Sequence, residues 1–190
     1  MSRPEGSDAP AGALWQRAAA FAARLHTGQV RKDHRTPYVS HPFRVAMTVR
    51  HLFEHADDAT ICAAILHDTI EDTPADFDDI EKQFGPLVAE IVAALSKNML
   101  LREDSREPEY DRRLSEADWR ARLVKLADAY DNLCDIGYRS DGGPETVARH
   151  LARCERAISL AEPDAAAHPE TARAIGLLRE AMSMISPSEA

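Results

Sequence analysis

Residues 59–73 read ATICAAILHDTIEDT, an apolar stretch that runs directly into an imidazole and three carboxylates. Its first half is apolar on most sides, so a helix here belongs at the centre of a helical core. The aspartate pair at 57–58 is typical of a helix N-cap, and Pro74 marks the end. We therefore predict a central helix over residues 59–70, with a polar end that emerges from the core.

The remaining sequence also favours helices. Aromatic residues make up only 6% of the chain and alanine is abundant, a composition that favours closely packed helices over sheets. Apolar residues at spacings of three and four predict further helices at residues 13–26, 42–53, 76–83, 86–95, 116–136, 144–160 and 172–184. The charged, non-periodic stretch 97–111 is either a solvated connector or a mobile flap. The fold class predicted is all-α, a helical bundle.

The length of 190 residues, 44% of them hydrophobic, allows one good core. We expect a disordered lead-in at residues 1–12, a single domain at 13–186 and a frayed tail at 187–190. The formal net charge of −9 argues against a nucleic-acid partner, which normally requires a basic face. A small phosphorylated ligand remains compatible with that charge.

Cysteine usage and hydropathy predict the compartment. Cys62, Cys134 and Cys154 are far apart in the sequence, which fits a reducing cytoplasm better than a disulfide framework. No apolar run approaches the roughly 20 residues that cross a bilayer. We expect a cytoplasmic protein without a membrane partner, and a homo-oligomer stays open.

The polar end of the central helix is a candidate metal site. Glu71 follows His67 by four residues and Asp68 by three, and Asp72 follows Asp68 by four, so these side chains share one region of a helix. Such clustered negative charge is unfavourable at a helix C-terminus unless a cation is bound. A solvated acidic helix end is the alternative.

Two other segments offer further ligands. His41, in PYVSHP, stands at the start of a predicted helix, although a lone histidine there is more often structural. Asp128, in RLVKLADAYDNL, lies on a partly buried face and needs a partner, because an unpaired buried charge is costly. A metal is one such partner, and Lys125 or a helix N-terminus are others.

Four segments carry a resemblance to a known family: GQVRKDHRTPYVSHPFRVA (28–46), AAILHDTIEDT (63–73), IEKQFGPLVAEIV (80–92) and RLVKLADAYDNL (122–133). The chain resembles the HD-domain phosphohydrolases, and more narrowly the (p)ppGpp hydrolase domain of RelA/SpoT-type proteins and the stand-alone small alarmone hydrolases. A histidine–aspartate doublet alone is a weak signal, whereas four segments in the family's order are specific.

The resemblance implies an HD-domain helical bundle that binds a divalent metal, usually Mn²⁺, although such ligands also take Zn²⁺, Fe²⁺ or Co²⁺. The metal ligands that it implies are His41, His67, Asp68 and Asp128. Glu71 and Asp72 match the catalytic pair that orients and deprotonates the attacking water, or else they support the metal from outside its ligand set. The positions that match nucleotide contacts are Arg31, Lys32, Tyr38 and Asn132.

The helix with the last ligand departs from the family pattern. It commonly reads KLADRLHN in the family, and here it reads KLADAYDN. Ala129 and Asp131 therefore replace a basic residue and an aromatic or imidazole side chain. We expect metal binding to be retained, while the preferred nucleobase and the phosphate contacts stay open.

Metal-dependent hydrolysis of the 3′-pyrophosphate of (p)ppGpp, by a stand-alone hydrolase, is the leading hypothesis. A second hypothesis keeps the chemistry and changes the substrate to (p)ppApp, NADPH or a nucleoside monophosphate. A third is a non-catalytic metal or nucleotide sensor.

Overall fold

A computed structural model describes residues 13–138 and 143–185, so the predicted lead-in at 1–12 and tail at 187–190 lie outside the described residues. The helices are α1 Leu14–Leu25, α2 Ser40–Met47, α3 Asp58–Leu66, α4 Thr69–Asp72, α5 Phe77–Phe84, α6 Pro86–Leu95, α7 Glu103–Glu116, α8 Trp119–Cys134, α9 Pro144–Ala161 and α10 Pro169–Ile185. A π-helical turn, Thr48–Leu52, extends α2, and 3₁₀ turns follow α8 and α9 at Asp135–Tyr138 and Glu162–Asp164.

The prediction of an all-α fold is confirmed. Within the described ranges, strand-like pairing is limited to one isolated bridge between Val30 and Pro37. Buried apolar side chains from nearly all of the longer helices form one hydrophobic cluster. No helix in the described part of the chain is long and apolar enough to cross a membrane.

Helix α3 lies at the centre of this core, as its apolar sequence predicts. Residues 60–66 are all buried, and α1, α2, α6 and α8 pack around them. Asp57 caps the helix, because its carboxylate accepts a hydrogen bond of 3.0 Å from the backbone N–H of Thr60. A fully buried helix has little freedom to shift, so the residues at its end are held in fixed positions.

The prediction of one continuous helix over residues 59–70 is wrong. Helix α3 ends at Leu66, and the short helix α4 begins only at Thr69. The Nδ1 of His67 lies 2.9 Å from the carbonyl of Ala64, and the Thr69 hydroxyl donates to the carbonyl of Leu66 at 2.6 Å. In a continuous helix those carbonyls would accept backbone N–H groups four residues further on. The break places the histidine–aspartate doublet in a turn.

The stretch 97–111 is neither a plain connector nor irregular, because most of it belongs to α7. Arg113 of α7 donates to the carbonyl of Ser96 at 2.6 Å, and Arg156 of α9 binds Asp111 at 2.7 Å. These bonds, together with the buried side chains of Tyr110 and Leu114, attach a mostly charged helix to its neighbours. Its sequence therefore lacks the periodicity by which buried helices are predicted.

Candidate metal centre and catalytic site

Three separate helical segments bring the central histidines and an aspartate together. His41 is the second residue of α2, His67 follows α3 directly, and Asp128 lies within α8. One ligand atom from each residue lies within 4.8 Å of the others. The exposed fractions are 1%, 3% and 9%, respectively. Ligands that are 26 to 87 residues apart in sequence are thus gathered at a buried point beside the core.

A carboxylate outside this set fixes the orientation of His41. The Nδ1 of His41 lies 2.7 Å from Asp131, whose carboxylate also accepts two hydrogen bonds from Arg44 at 2.6 and 2.8 Å. An ionised carboxylate only accepts hydrogen bonds, so Nδ1 is the donor. The Nε2 of His41 then points inward, 3.2 Å from Oδ1 of Asp128.

A backbone carbonyl orients His67 so that its Nε2, like that of His41, points into the cluster. Its Nδ1 donates to the Ala64 carbonyl, and its buried Nε2 has no hydrogen-bond partner of acceptable geometry among the described residues. That Nε2 lies 3.1 Å from Oδ2 of Asp68 and 3.9 Å from Oδ1 of Asp128. Two imidazole nitrogens and the oxygens of two carboxylates therefore converge on one point.

The electrostatics of this cluster require a positive charge. Burial alone would lower the pKa of His67, but the neighbouring charge of Asp68, with Asp128, raises it to about 9. Burial alone would likewise raise the pKa of Asp128, but Lys125 and the two histidines hold it well below its ordinary value. Imidazole nitrogen and carboxylate oxygen are ligands of divalent transition metals. The residues present fit such an ion.

Asp68 lies at the edge of the three-residue set. Its Oδ2 is 3.6 Å from Nε2 of His41 and accepts a hydrogen bond of 2.6 Å from the Tyr38 hydroxyl. The same hydroxyl lies 3.1 Å from Oδ2 of Asp72. Tyr38 therefore joins a predicted metal ligand to a member of the predicted catalytic pair.

Glu71 and Asp72, both in α4, line the same cavity. Burial, reinforced by the charge of Asp68, raises the pKa of each carboxyl above its ordinary value. Glu71 also accepts a hydrogen bond of 2.9 Å from the backbone N–H of Lys97. The loop before α7 thus positions one of the two candidate bases.

The structure brings three of the four predicted nucleotide contacts into the cavity wall. Arg31 is buried and binds Asp135 at 2.8 Å and the side-chain oxygen of Asn132 at 3.0 Å. Asn132 in turn donates to Asp128, and Tyr38 binds as described above. Lys32 lies in an exposed turn and is not part of the cavity lining. Its assignment to the nucleotide stays a prediction.

The cavity has a volume of about 480 Å³ and extends from the histidines to α7 and α9. Charged and polar residues of this far wall that the sequence did not single out are Lys97, Glu107, Asp111, His150, Arg153 and Arg156. The last three follow one another at intervals of three on α9. Residues at this spacing share one face of a helix, and this regular spacing is the sequence feature by which they could have been recognised.

A family model described as "HD domain" matches residues 18–154. Curated relatives include the guanosine-3′,5′-bis(diphosphate) 3′-pyrophosphohydrolases MESH1 of Danio rerio and of Homo sapiens. The Danio rerio protein is 41% identical over 117 residues, which are 61% of this chain and 65% of that protein. The human protein is 39% identical over 120 residues, which are 63% of this chain and 67% of that protein.

The fold has a match among solved structures. A metazoan orthologue of SpoT, described as hydrolysing ppGpp, superimposes with a TM-score of 0.79 and 28% sequence identity. The match covers 93% of this chain and 98% of that one. It therefore extends over nearly the whole helical arrangement, beyond the segment that the sequence comparisons align.

Proposed function

The chain belongs to the HD-domain family, and we propose that it is a metal-dependent hydrolase of the 3′-pyrophosphate of guanosine tetra- and pentaphosphate. The products are pyrophosphate and GDP or GTP. One observation carries the proposal: His41, His67 and Asp128 converge beside Glu71 in a chain whose relatives are named for this reaction. The remaining residues of the cavity are consistent with a ligand that carries several phosphates.

We assign the metal to His41, His67 and Asp128, with Asp68 at the edge of the site. A mixed imidazole and carboxylate ligand set suits Mn²⁺, and it also accepts Zn²⁺, Fe²⁺ or Co²⁺. When bound, such an ion supplies a Lewis acid for a phosphoryl oxygen and lowers the pKa of water.

Glu71 serves as the base in this proposal. Its carboxylate takes a proton from the attacking water, whose oxygen forms a bond to the phosphorus attached to the 3′ oxygen of the nucleotide. The bond between that phosphorus and the 3′ oxygen breaks, and the 3′ oxygen receives a proton as pyrophosphate departs. Because the pKa of Glu71 is raised, its carboxylate is a stronger base than an ordinary glutamate.

Asp72 and Tyr38 hold the geometry around this base. The Tyr38 hydroxyl donates its one proton to Asp68 at 2.6 Å and lies 3.1 Å from Oδ2 of Asp72, so it stands between two carboxylates that would otherwise repel each other. Arg31 is a fixed cation of the cavity wall that can bind a substrate phosphate, because Asp135 and Asn132 already orient its guanidinium. A preoriented cation stabilises developing phosphate charge without reorganisation during the reaction.

We also place the protein in the cytoplasm, acting on a small nucleotide. Cys62, Cys134 and Cys154 are all free thiols, as expected in a reducing compartment. The net charge of −9 gives no general attraction for nucleic acid.

The test uses the metal-stripped full chain, incubated separately with ppGpp, ppApp, NADPH and a nucleoside monophosphate, with and without Mn²⁺. Ion-exchange chromatography identifies the products. The proposal expects Mn²⁺-dependent release of pyrophosphate from ppGpp, and the rate with ppApp gives the base preference. Turnover of NADPH or the monophosphate alone would assign the chain to another HD-type reaction. No turnover despite bound metal would favour the sensor hypothesis.

The Glu71→Gln variant separates the base from the metal site. It should lose turnover and keep its metal, because Glu71 lies outside the three-residue ligand set. Glu90→Gln, an exposed glutamate on α6, is the matched control and should keep the wild-type rate. If Glu71→Gln hydrolysed ppGpp at the wild-type rate, the assignment of the base would be wrong.

A further inference from the structure

The reaction described above leaves Tyr110 without a role, although this residue of α7 lines the cavity. Only 3% of its surface is exposed, and its hydroxyl has no hydrogen-bond partner among the described residues. Buried polar groups in folded proteins are almost always paired. An unpaired hydroxyl on a cavity wall therefore indicates an acceptor that a ligand supplies.

Two lysines lie close to this side chain, and each also pairs with a carboxylate, Lys97 with Glu107 and Lys125 with Asp128. The Nζ of Lys97 lies 5.5 Å from the centroid of the Tyr110 ring, and the Nζ of Lys125 lies 5.7 Å from it. Both lysines line the cavity, as does Arg153 of α9. Arg153 forms no ion pair with any residue that the structure describes. An anion that enters this part of the cavity therefore meets Arg153 and two lysines that it would share with Glu107 and Asp128.

The Tyr110 hydroxyl acts as a donor toward that anion. Burial raises the pKa of Tyr110, against the opposing effect of Lys125. The phenol is therefore neutral at physiological pH and keeps its proton to donate. A phosphate oxygen is the matching acceptor, because it accepts from the hydroxyl and is attracted by the neighbouring ammonium groups.

The two lysines beside Tyr110 also contact residues of the proposed reaction centre. Lys125 donates from Nζ to Oδ2 of Asp128 at 2.8 Å, and Asp128 is a proposed metal ligand. Lys97 donates from its backbone N–H to Glu71 at 2.9 Å, and Glu71 is the proposed base. An anion bound at Tyr110 thus lies next to the phosphorus under attack, on the side of α7.

We propose that Tyr110, Lys97 and Lys125 form the subsite for the distal phosphate of the 3′-diphosphate, the group that leaves as pyrophosphate. This inference rests on the proposed function and deepens it, because it assigns the α7 wall to the departing diphosphate. The guanosine half of the substrate is then left to the wall that contains Arg31 and Asn132.

Product inhibition of the Tyr110→Phe variant tests the subsite. The substitution removes one hydroxyl and keeps the ring, so the inhibition constant of pyrophosphate should rise about tenfold, as for the loss of a hydrogen bond to a charged group. The inhibition constant of GDP should change less than about twofold. Tyr130→Phe is the matched control, since Tyr130 lies outside the cavity lining, and it should leave both constants unchanged.

The thermal midpoint distinguishes binding from a structural role. Because the Tyr110 hydroxyl is unpaired in the free protein, Tyr110→Phe should be at least as stable as the wild type. An unchanged inhibition constant for pyrophosphate would overturn the subsite. Equal weakening of both products, together with a lower midpoint, would also overturn it in favour of a structural role.

A binding experiment distinguishes failure of the proposed function from failure of the subsite. If the wild type does not hydrolyse ppGpp, titration calorimetry with inorganic pyrophosphate and Mn²⁺-loaded full chain measures the subsite directly. Weaker pyrophosphate binding by Tyr110→Phe than by the wild type would still support an anion subsite at Tyr110. Equal binding would contradict it.

Discussion

The two ends of the cavity are built by different forces. At the metal end, His41, His67 and Asp128 extend from α2, α3 and α8, which pack in the hydrophobic core. At the α7 end, the wall is joined by ion pairs, such as Arg156 with Glu107, in which each side chain is 36% exposed. Core packing is strong and specific, whereas exposed ion pairs typically contribute about 0–1 kcal/mol.

The difference between the two ends suggests a division of roles, in which the metal end performs the reaction and the α7 wall controls the entry of the substrate. Buried ligands on packed helices keep the reacting atoms in place, because close-packed cores deform little. Among its described side chains, helix α7 places only Tyr110 and Leu114 in the core and is otherwise attached by charged pairs, so we expect it to open more easily than α3. We therefore expect substitutions at the metal end to affect turnover strongly and those at the α7 wall to affect substrate affinity and local opening.

The largest effect is expected for Asp128→Asn. Loss of one anionic ligand should release the metal and remove several kcal/mol of transition-state stabilisation, which corresponds to a rate loss on the order of 10³-fold. Metal content and the rate of pyrophosphate release are the measurements. Asp111→Asn at the α7 wall is the control and should keep its metal. A metal-replete, fully active Asp128→Asn would remove the distinction between the two ends.

Asp131→Asn should have the next largest effect. The amide still accepts a hydrogen bond from His41 but carries no charge, so the inward Nε2 becomes a weaker ligand. Such changes beside a metal ligand typically cost about 10–100-fold in affinity, which competition with a chelator measures. Asp135→Asn is the matched control, because the Asp135 carboxylate binds Arg31 and Arg44, whereas His41 binds Asp131. Equal losses in both variants would contradict a specific role for Asp131.

Arg156→Gln should act at the other end. Its guanidinium binds both Glu107 and Asp111 of α7, so its loss should raise KM several-fold, with little change in metal affinity. Hydrogen exchange of the α7 amides should become faster while that of α3 stays unchanged. Arg149→Gln, an exposed residue of α9, is the control. Faster exchange in α3 would show that the two ends are not independent.

The smallest effect is expected for Glu107→Gln, and it should depend on pH. Lys97 and Arg156 lower the pKa of Glu107 below its ordinary value. A lowered pKa stabilises the folded state above the unfolded value of about 4.3, and this contribution is lost as the pH falls through the lowered pKa. The thermal midpoint should therefore fall by about 2 °C or less at pH 7, and the difference should shrink below about pH 4. A constant difference at every pH would exclude this origin.

The residues assigned to the metal end stood out in sequence because they lie beside apolar stretches and match the order of the family motif. His67 and Asp68 follow the apolar residues of α3, and Asp128 stands between buried positions of α8. The role of Asp131 was not predictable, because its partner His41 is distant in sequence. The break between α3 and α4 was also missed, because side-chain donors to helix carbonyls leave no periodic signal.

The α7 wall was predicted poorly for a related reason. Its helix, Glu103–Glu116, contains mostly charged residues and an internal Pro108, so neither hydrophobic periodicity nor helix propensity indicates it. The contacts that attach it come from Arg156 and Lys97, which belong to other segments. Ion pairs between distant segments depend on the tertiary fold. The sequence indicated the charge of this stretch and the alternative of a flap, but not its helix.

The central claim is tested most directly by pyrophosphate release from ppGpp as Mn²⁺ is added back to the metal-stripped full chain. We predict no release without the ion, full activity near about one equivalent per chain, and no recovery for Asp128→Asn at the same concentrations. Release that does not depend on Mn²⁺ or a comparable divalent ion, or that Asp128→Asn leaves unchanged, would contradict metal-dependent hydrolysis at this site.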